Sequence, residues 1–252
     1  MSELLAWCGH GLKEHLRGAA LIALLDEEAI RGAAELVKKS FNQVLNERAL
    51  RREVESTTRR LAEVAGLKDA KRAVALAAYL HDVGKAIEVY QRRLKEAGPR
   101  CKASLRGHEV WSAWVAYHVA KGIWGEKGAS IIAASVALHH SARRSIDDVV
   151  LDALKVWPSM DDVDLMFRLA EEGLKLVGLD PDVASAEAAA RHEWFRRAVL
   201  ELTRSRLLVP EAVWGELIIH VIAIADNLDS ALVRSDGRIA YVIRPLLVEC
   251  HC

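Results

Sequence analysis

The chain has 252 residues with 35 basic and 35 acidic side chains, so its formal net charge is zero and no global field marks it as a nucleic-acid binder. A hydrophobic share of 52% suffices for a sizeable core, yet no apolar stretch, Ile131 to Leu138 included, is long enough to span a bilayer. Four scattered cysteines exclude a disulfide framework, and the opening Met-Ser-Glu-Leu-Leu, with no basic leader, points to an intracellular, cytoplasmic protein.

Along the chain, apolar residues recur at three- and four-residue spacing: Leu12-Leu16-Ala19-Ala20, Leu61-Val64-Ala65, Trp111-Trp114-Val115 and Val199-Leu202-Leu207. Breaks are expected near Gly66, Gly98-Pro99, Gly122 to Gly128, Trp157-Pro158, Asp180-Pro181 and Pro210. The pattern predicts an all-α chain forming a single domain over residues 1–252. Its core covers about 10–235, and a short extension covers 236–252. The segment Gly237 to Pro245 is β-branched and aromatic, and predicts a short C-terminal strand or hairpin arm. Trp111, Trp114 and Trp124 sit at helical spacing that suits a core, with base stacking the alternative. Cys250-His251-Cys252 matches no closed zinc site.

Histidine and aspartate interrupt this pattern at five places. His15 lies in an amphipathic start near the N-terminus, and His81-Asp82 end the apolar run Ala73 to Leu80. His108 stands in Gly107-His108-Glu109, where a new helix begins, and His139-His140 end the run Ile131 to Leu138. Asp226 is embedded in the apolar stretch that starts at Val221. Each has a plain alternative. His108 could cap a helix, the histidine pair could answer a helix dipole, and Asp226 or Asp229 could pair with an arginine. Buried polar groups are costly without partners, and one shared polar centre accounts for all five places together. Five histidines and two aspartates are too many for one ion with open positions. They point to two divalent ions roughly 3.5–4 Å apart, bridged by Asp82, that activate water and clamp a phosphoester. Imidazole-rich ligation favours Mn, Fe, Co, Ni or Zn over Mg. Lys85, one turn past His81, is the candidate for neutralising charge in the transition state.

These residues resemble the HD superfamily of metal-dependent phosphohydrolases. Within it they look most like the stand-alone HD nuclease of type I CRISPR interference. The matching elements are Glu14-His15-Leu16, His81-Asp82-Val83-Gly84-Lys85, Gly107-His108-Glu109, His139-His140 and Ala225-Asp226 to Ser230. The adjacent His139-His140 pair discriminates best, and no Gly-Tyr-Pro follows it, unlike the cyclic-dinucleotide branch. The resemblance implies an HD-domain helical bundle in which His15, His81, Asp82 and Asp226 hold one metal. Asp82, His108, His139 and His140 would hold the other. His10, five residues earlier, competes with His15, but the apolar residues around His15 favour it.

The resemblance further implies endo- and exonucleolytic cleavage of single-stranded DNA, with a separate helicase and a crRNA-guided interference complex as partners. No Gly-x-x-x-x-Gly-Lys-Ser/Thr motif occurs in this chain. Arg106, Arg143 and Arg144 flank the histidines and are the candidate substrate contacts, with Arg92-Arg93-Lys95 and Arg100-Lys102 nearby in sequence. The competing readings are an HD phosphohydrolase acting on free nucleotides and a helical adaptor without turnover.

Overall fold

The stretch Ala73 to Leu80 has no polar face, so as a helix it must be covered on every side. The computed structural model describes residues 3–7, 9–98, 103–140, 146–180, 186–187, 214–230 and 241–249. In it this stretch forms most of α4 (Ala70–Leu80), with every residue from Ala73 to Leu80 buried. Around α4 pack α1 (Leu12–Ala23), α3 (Glu47–Ala65), α6 (His108–Ala137), α8 (Met160–Leu176) and α9 (Gly215–Ser230). The alanines of α4 let these neighbours come close. Leu76 and Leu80 each add about 1.5–3 kcal/mol of burial.

The ends of the elements follow local chemistry. The helix α2 (Glu27–Phe41) starts where the Asp26 carboxylate accepts from the Glu28 and Ala29 amides. Asn46 caps α3 in the same way, and α3 ends at Gly66, one of the expected breaks. A single 3-10 turn (Val83–Ala86) joins α4 to α5 (Glu88–Ala97). A reciprocal pair, Ser159 and Asp162, opens α8 after the Trp157-Pro158 break, and the short α7 (Ile146–Ala153) precedes it. Pro210 and Pro181 lie outside the described residues.

The element α6 is a hairpin. A straight helix of its 30 residues would be about 45 Å long. Gly125 leaves the helical region (φ 68°, ψ −174°) and turns the second arm back, within the Gly122 to Gly128 break expected from sequence. Across that turn Lys121 Nζ lies 2.9 Å from Glu126 Oε2, and the Tyr117 hydroxyl donates to the same carboxylate.

Strand structure is confined to two small antiparallel ribbons among the described residues. The first pairs β1 (Leu5–Trp7) with β2 (His10–Gly11). The second pairs β3 (Gln43–Leu45) with β4 (Leu247–Glu249), Val44 opposite Val248. The expected C-terminal strand is thus displaced. Residues 237–240 lie outside the described residues, Tyr241–Leu246 coil as a 3-10 helix containing Pro245, and the strand begins only after it. Proline cannot donate to a ladder, so pairing starts beyond that residue. No described helix is long and apolar enough to cross a membrane.

Trp111 and Trp114 are buried core residues. Their rings meet edge to face at 6.4 Å, with Trp157 against Trp111 and Phe167 against Trp114. Neither is available for stacking bases.

Candidate metal centre

Three histidines are aimed by one repeated device. His81 caps the end of α4, His108 opens α6, and His139 lies just past the end of α6. Each places Nδ1 on the carbonyl three residues before it: Ala78 at 2.7 Å, Leu105 at 2.8 Å and Val136 at 2.6 Å. A carbonyl only accepts, so the Nδ1 proton donates and the Nε2 lone pair is left facing inward.

What they face is Asp82, whose two oxygens look in different directions. Its Oδ2 is 3.2 Å from His15 Nε2 and 3.3 Å from His81 Nε2, and it also accepts from the Lys85 ammonium. Asp226 Oδ1 approaches the same two nitrogens, at 3.6 and 4.0 Å. Asp82 Oδ1 is 2.8 Å from His108 Nε2 and 3.7 Å from His139 Nε2. His140 joins this second group, in which all ligand atoms lie within 4.8 Å of one another. His15, His81, Asp82, His108 and His139 are buried, while His140 is exposed. Asp226 is half-buried, so among the described residues the centre is most exposed at His140.

Gly84 allows this closeness. A Cβ there would stand 2.2 Å from the His108 carbonyl oxygen, so the turn after Asp82 lies directly on the start of α6. The Gly84 amide donates to Ser112 Oγ at 2.8 Å and ties the two together.

Three inward atoms, Asp82 Oδ1, His108 Nε2 and His139 Nε2, are buried without a hydrogen-bond partner. The 2.8 Å approach of His108 to Asp82 lacks hydrogen-bond alignment. Orphaned atoms of this kind are costly in a protein interior. A divalent cation satisfies all three at once, and imidazole with carboxylate is the donor set of first-row transition metals. The residues fit such an ion.

Without metal the cluster manages its charges internally. Burial would push the Asp82 carboxyl up, but Lys85, then His81, His108 and His15, hold it well below the usual carboxylate range. Burial opposes charge on His15, yet its hydrogen bonds to Asp229 and Asp82 raise it to about 9. His108 is also raised against burial, chiefly by Glu109 and Asp82. His139 goes the other way, held well below 6.5 by burial and by neighbouring His140 and His81.

These shifts set a pH optimum for the metal-free fold. His15 keeps its proton in the folded state up to about pH 9, while the unfolded chain releases it near 6.5. Its contribution is therefore complete below 6.5 and is lost as the pH rises through 9. His139 titrates lower when folded, so below 6.5 the unfolded chain takes up the extra proton and stability falls. EDTA-treated protein should melt highest near pH 6.5 and lower toward both pH 5 and pH 9. Scanning calorimetry across that range checks it, and a melting temperature that climbs steadily to pH 9 contradicts it.

The structure thus brings together His15, His81, Asp82, His108, His139, His140 and Asp226, with Lys85 against Asp82. Arg106 is exposed beside Gly107, its carbonyl accepting from the Tyr90 hydroxyl. Arg143 and Arg144 lie outside the described residues, as do Arg100, Lys102 and Cys250 to Cys252. Arg93 is engaged elsewhere, over the Tyr90 ring and on the Ser104 carbonyl.

Two contributors escaped sequence reasoning. Asp229 bonds His15 rather than an arginine, and Gln91 holds the Lys85 carbonyl (2.7 Å) together with both backbone groups of Leu5. The Asp-x-x-Asp spacing 226–229 was the available signal for Asp229, since it puts both carboxylates on one helix face.

The Cas3, HD domain family matches residues 35–221 of this chain. Among curated relatives, the CRISPR-associated endonuclease Cas3-HD of Pyrococcus furiosus is 30% identical over 170 residues, 60% of each chain. Its namesake in Methanocaldococcus jannaschii is 34% identical over 106 residues, which are 36% of this chain and 42% of that one. The matches thus span less than two thirds of either relative. Among solved structures, the CRISPR-associated Cas3 HD domain protein of Methanocaldococcus jannaschii superposes with a TM-score of 0.52 at 24% identity. It covers 90% of this chain and 100% of its own, a likeness of fold.

Proposed function

The chain belongs to the Cas3 HD domain family, and on that premise we propose that it is a metal-dependent nuclease of CRISPR interference that cleaves single-stranded DNA. It cuts both internally and from ends, and takes its strand from a separate helicase recruited to a crRNA-guided complex. The relatives named as CRISPR-associated endonucleases support the nuclease reading. The observation that carries it is the bidirectional Asp82, which offers one oxygen to each of two histidine groups.

In this reading His15, His81, Asp82 and Asp226 hold one ion, and Asp82, His108, His139 and His140 hold the other. Manganese, iron, cobalt, nickel or zinc suits these ligands better than magnesium. When bound, such ions polarise a phosphodiester and supply a nucleophilic water at neutral pH. Asp82 fixes the two ligand groups in one geometry. The Nδ1 bonds of His81, His108 and His139 keep their rings turned inward. Lys85 lies against Asp82 Oδ2 and neutralises charge that develops on the phosphoryl oxygens. Arg106, Arg143 and Arg144 contact the strand's phosphates.

Substrate form follows from access. The ligands are buried except His140, which is exposed, and Asp226, which is half-buried, so a flexible single strand reaches them more readily than a stiff duplex. With zero net charge the protein also binds duplex only weakly at physiological salt. Matched labelled single- and double-stranded oligonucleotides, incubated with Mn²⁺ and with EDTA as control, should show cleavage of the single strand far exceeding that of blunt duplex. A helicase partner with ATP should raise duplex cleavage. Equal rates on both substrates refute the access argument. Rapid hydrolysis of free nucleotides without DNA cleavage assigns the chain to nucleotide phosphohydrolysis, and a protein that retains no metal assigns it to an adaptor role.

A further inference from the structure

His15 differs from the other buried histidines of the centre. His81 and His139 lie just past helix ends, where carbonyls are left without an intrahelical amide, and His108 uses a carbonyl ahead of its helix. His15 sits within α1, where the neighbouring carbonyls serve the helix itself. Its Nδ1 must find an acceptor on another element.

That acceptor is Asp229, one turn beyond Asp226 on α9. Asp229 Oδ2 accepts from His15 Nδ1 at 2.7 Å, and the same oxygen lies 2.9 Å from His10 Nε2 on β2. The other oxygen rests on α1. A Cβ at Gly18 would stand 1.8 Å from Asp229 Oδ1, so the bare Cα of Gly18 is the floor on which this carboxylate lies. Three elements therefore meet at one carboxylate, and the only ring nitrogen left to His15 is the one facing Asp82 and Asp226.

We infer that His10, Asp229 and Gly18 form a seat that fixes the rotation of the His15 ring and so positions its Nε2 for the ion proposed to bind His15, His81, Asp82 and Asp226. The inference rests on the metal-binding reading of the centre. These are positioning residues, acting through His15. A carboxylate behind a ligating imidazole also strengthens it as a donor, and loss of such a partner commonly costs 10–100-fold in metal affinity.

The test is calorimetric titration of the metal-stripped full chain with Mn²⁺, with circular dichroism as a check on folding. The wild-type chain should bind two ions. Asp229→Asn should weaken one of the two steps by about 10–100-fold and leave the other unchanged. Gly18→Ala should do the same without altering the carboxylate, because its methyl group occupies the floor, and it carries the comparison if Asp229→Asn fails to fold. His10→Leu should weaken the same step, whereas His10→Gln, whose amide nitrogen can still donate to Oδ2, should restore it. A purely structural role cannot produce that selectivity or that rescue. Unchanged affinities in Asp229→Asn and Gly18→Ala, or equal weakening of both steps, overturn the seat while leaving the metal centre standing. A third ion that disappears with His10→Leu overturns it too, by making His10, His15 and Asp229 a binding site in their own right. A wild-type chain that binds no Mn²⁺ removes the metal-binding reading and the seat together.

Discussion

Replacing Asp82 by alanine is expected to bring Mn²⁺-dependent DNA cleavage to background and to strip the protein of bound metal. Among the described residues, Asp82 is the side chain whose oxygens belong to both ligand groups. His15 and His81 meet the Oδ2 atom of Asp82, while His108 and His139 meet its Oδ1. Loss of the carboxylate therefore weakens both groups, unlike loss of a single histidine. Lys85 loses its partner as well, but its side chain is 11% exposed and can turn toward water. The helical fold should persist, because α4 is held by apolar packing along its whole length. Metal analysis, circular dichroism and a cleavage assay on one preparation decide the matter. Full activity in Asp82→Ala would end the bridging argument, and a large loss of stability with metal retained would make Asp82 a buried ion-pair partner only.

Gly84→Ala should be nearly as damaging for a different reason. Its methyl group would meet the His108 carbonyl at 2.2 Å and Ser112 Oγ at 3.0 Å. The nearest of these is backbone at the first residue of α6, which a side-chain rotation cannot relieve. The turn carrying Asp82 must move away from the helix carrying His108, and overpacking of this kind costs about 1–3 kcal/mol. A displacement near 1 Å between groups that must act together costs roughly a hundredfold in rate. Thermal denaturation and cleavage should thus both fall, activity much further than stability. A variant that loses stability alone would show that Asp82 and His108 need not be held at this separation.

The sequence was most legible where a polar residue broke an apolar run. His81-Asp82 after Ala73 to Leu80, His139-His140 after Ile131 to Leu138 and Asp226 within α9 all stood out because burial makes an unpartnered imidazole or carboxylate expensive. The helices and most of their breaks could be read from spacing and glycine. What stayed hidden depends on partners far along the chain. Asp229 lies 214 residues from His15, and composition offered arginine as its mate. Gly84 resembles any turn glycine until the carbonyl of His108 is seen against it. The ribbon of β3 and β4 joins segments from opposite ends of the chain, so neither three-residue strand advertises itself. Trp111 and Trp114 read correctly as core residues, since spacing alone puts them on one face.

The hairpin of α6 acts as a lever. His108 and His139 lie at its two open tips, and the turn at Gly125 is the pivot. The arm from Gly125 to His108 is 17 residues, about 25 Å. At that reach a tilt of one degree at the pivot swings the tip by about 0.4 Å, to be set against the 2.8 Å between Asp82 and His108. Packing along the arms resists such a swing. The gap between these imidazoles is therefore governed in part by a remote glycine that touches neither, and by the clasp of Lys121, Tyr117 and Glu126 across the bend.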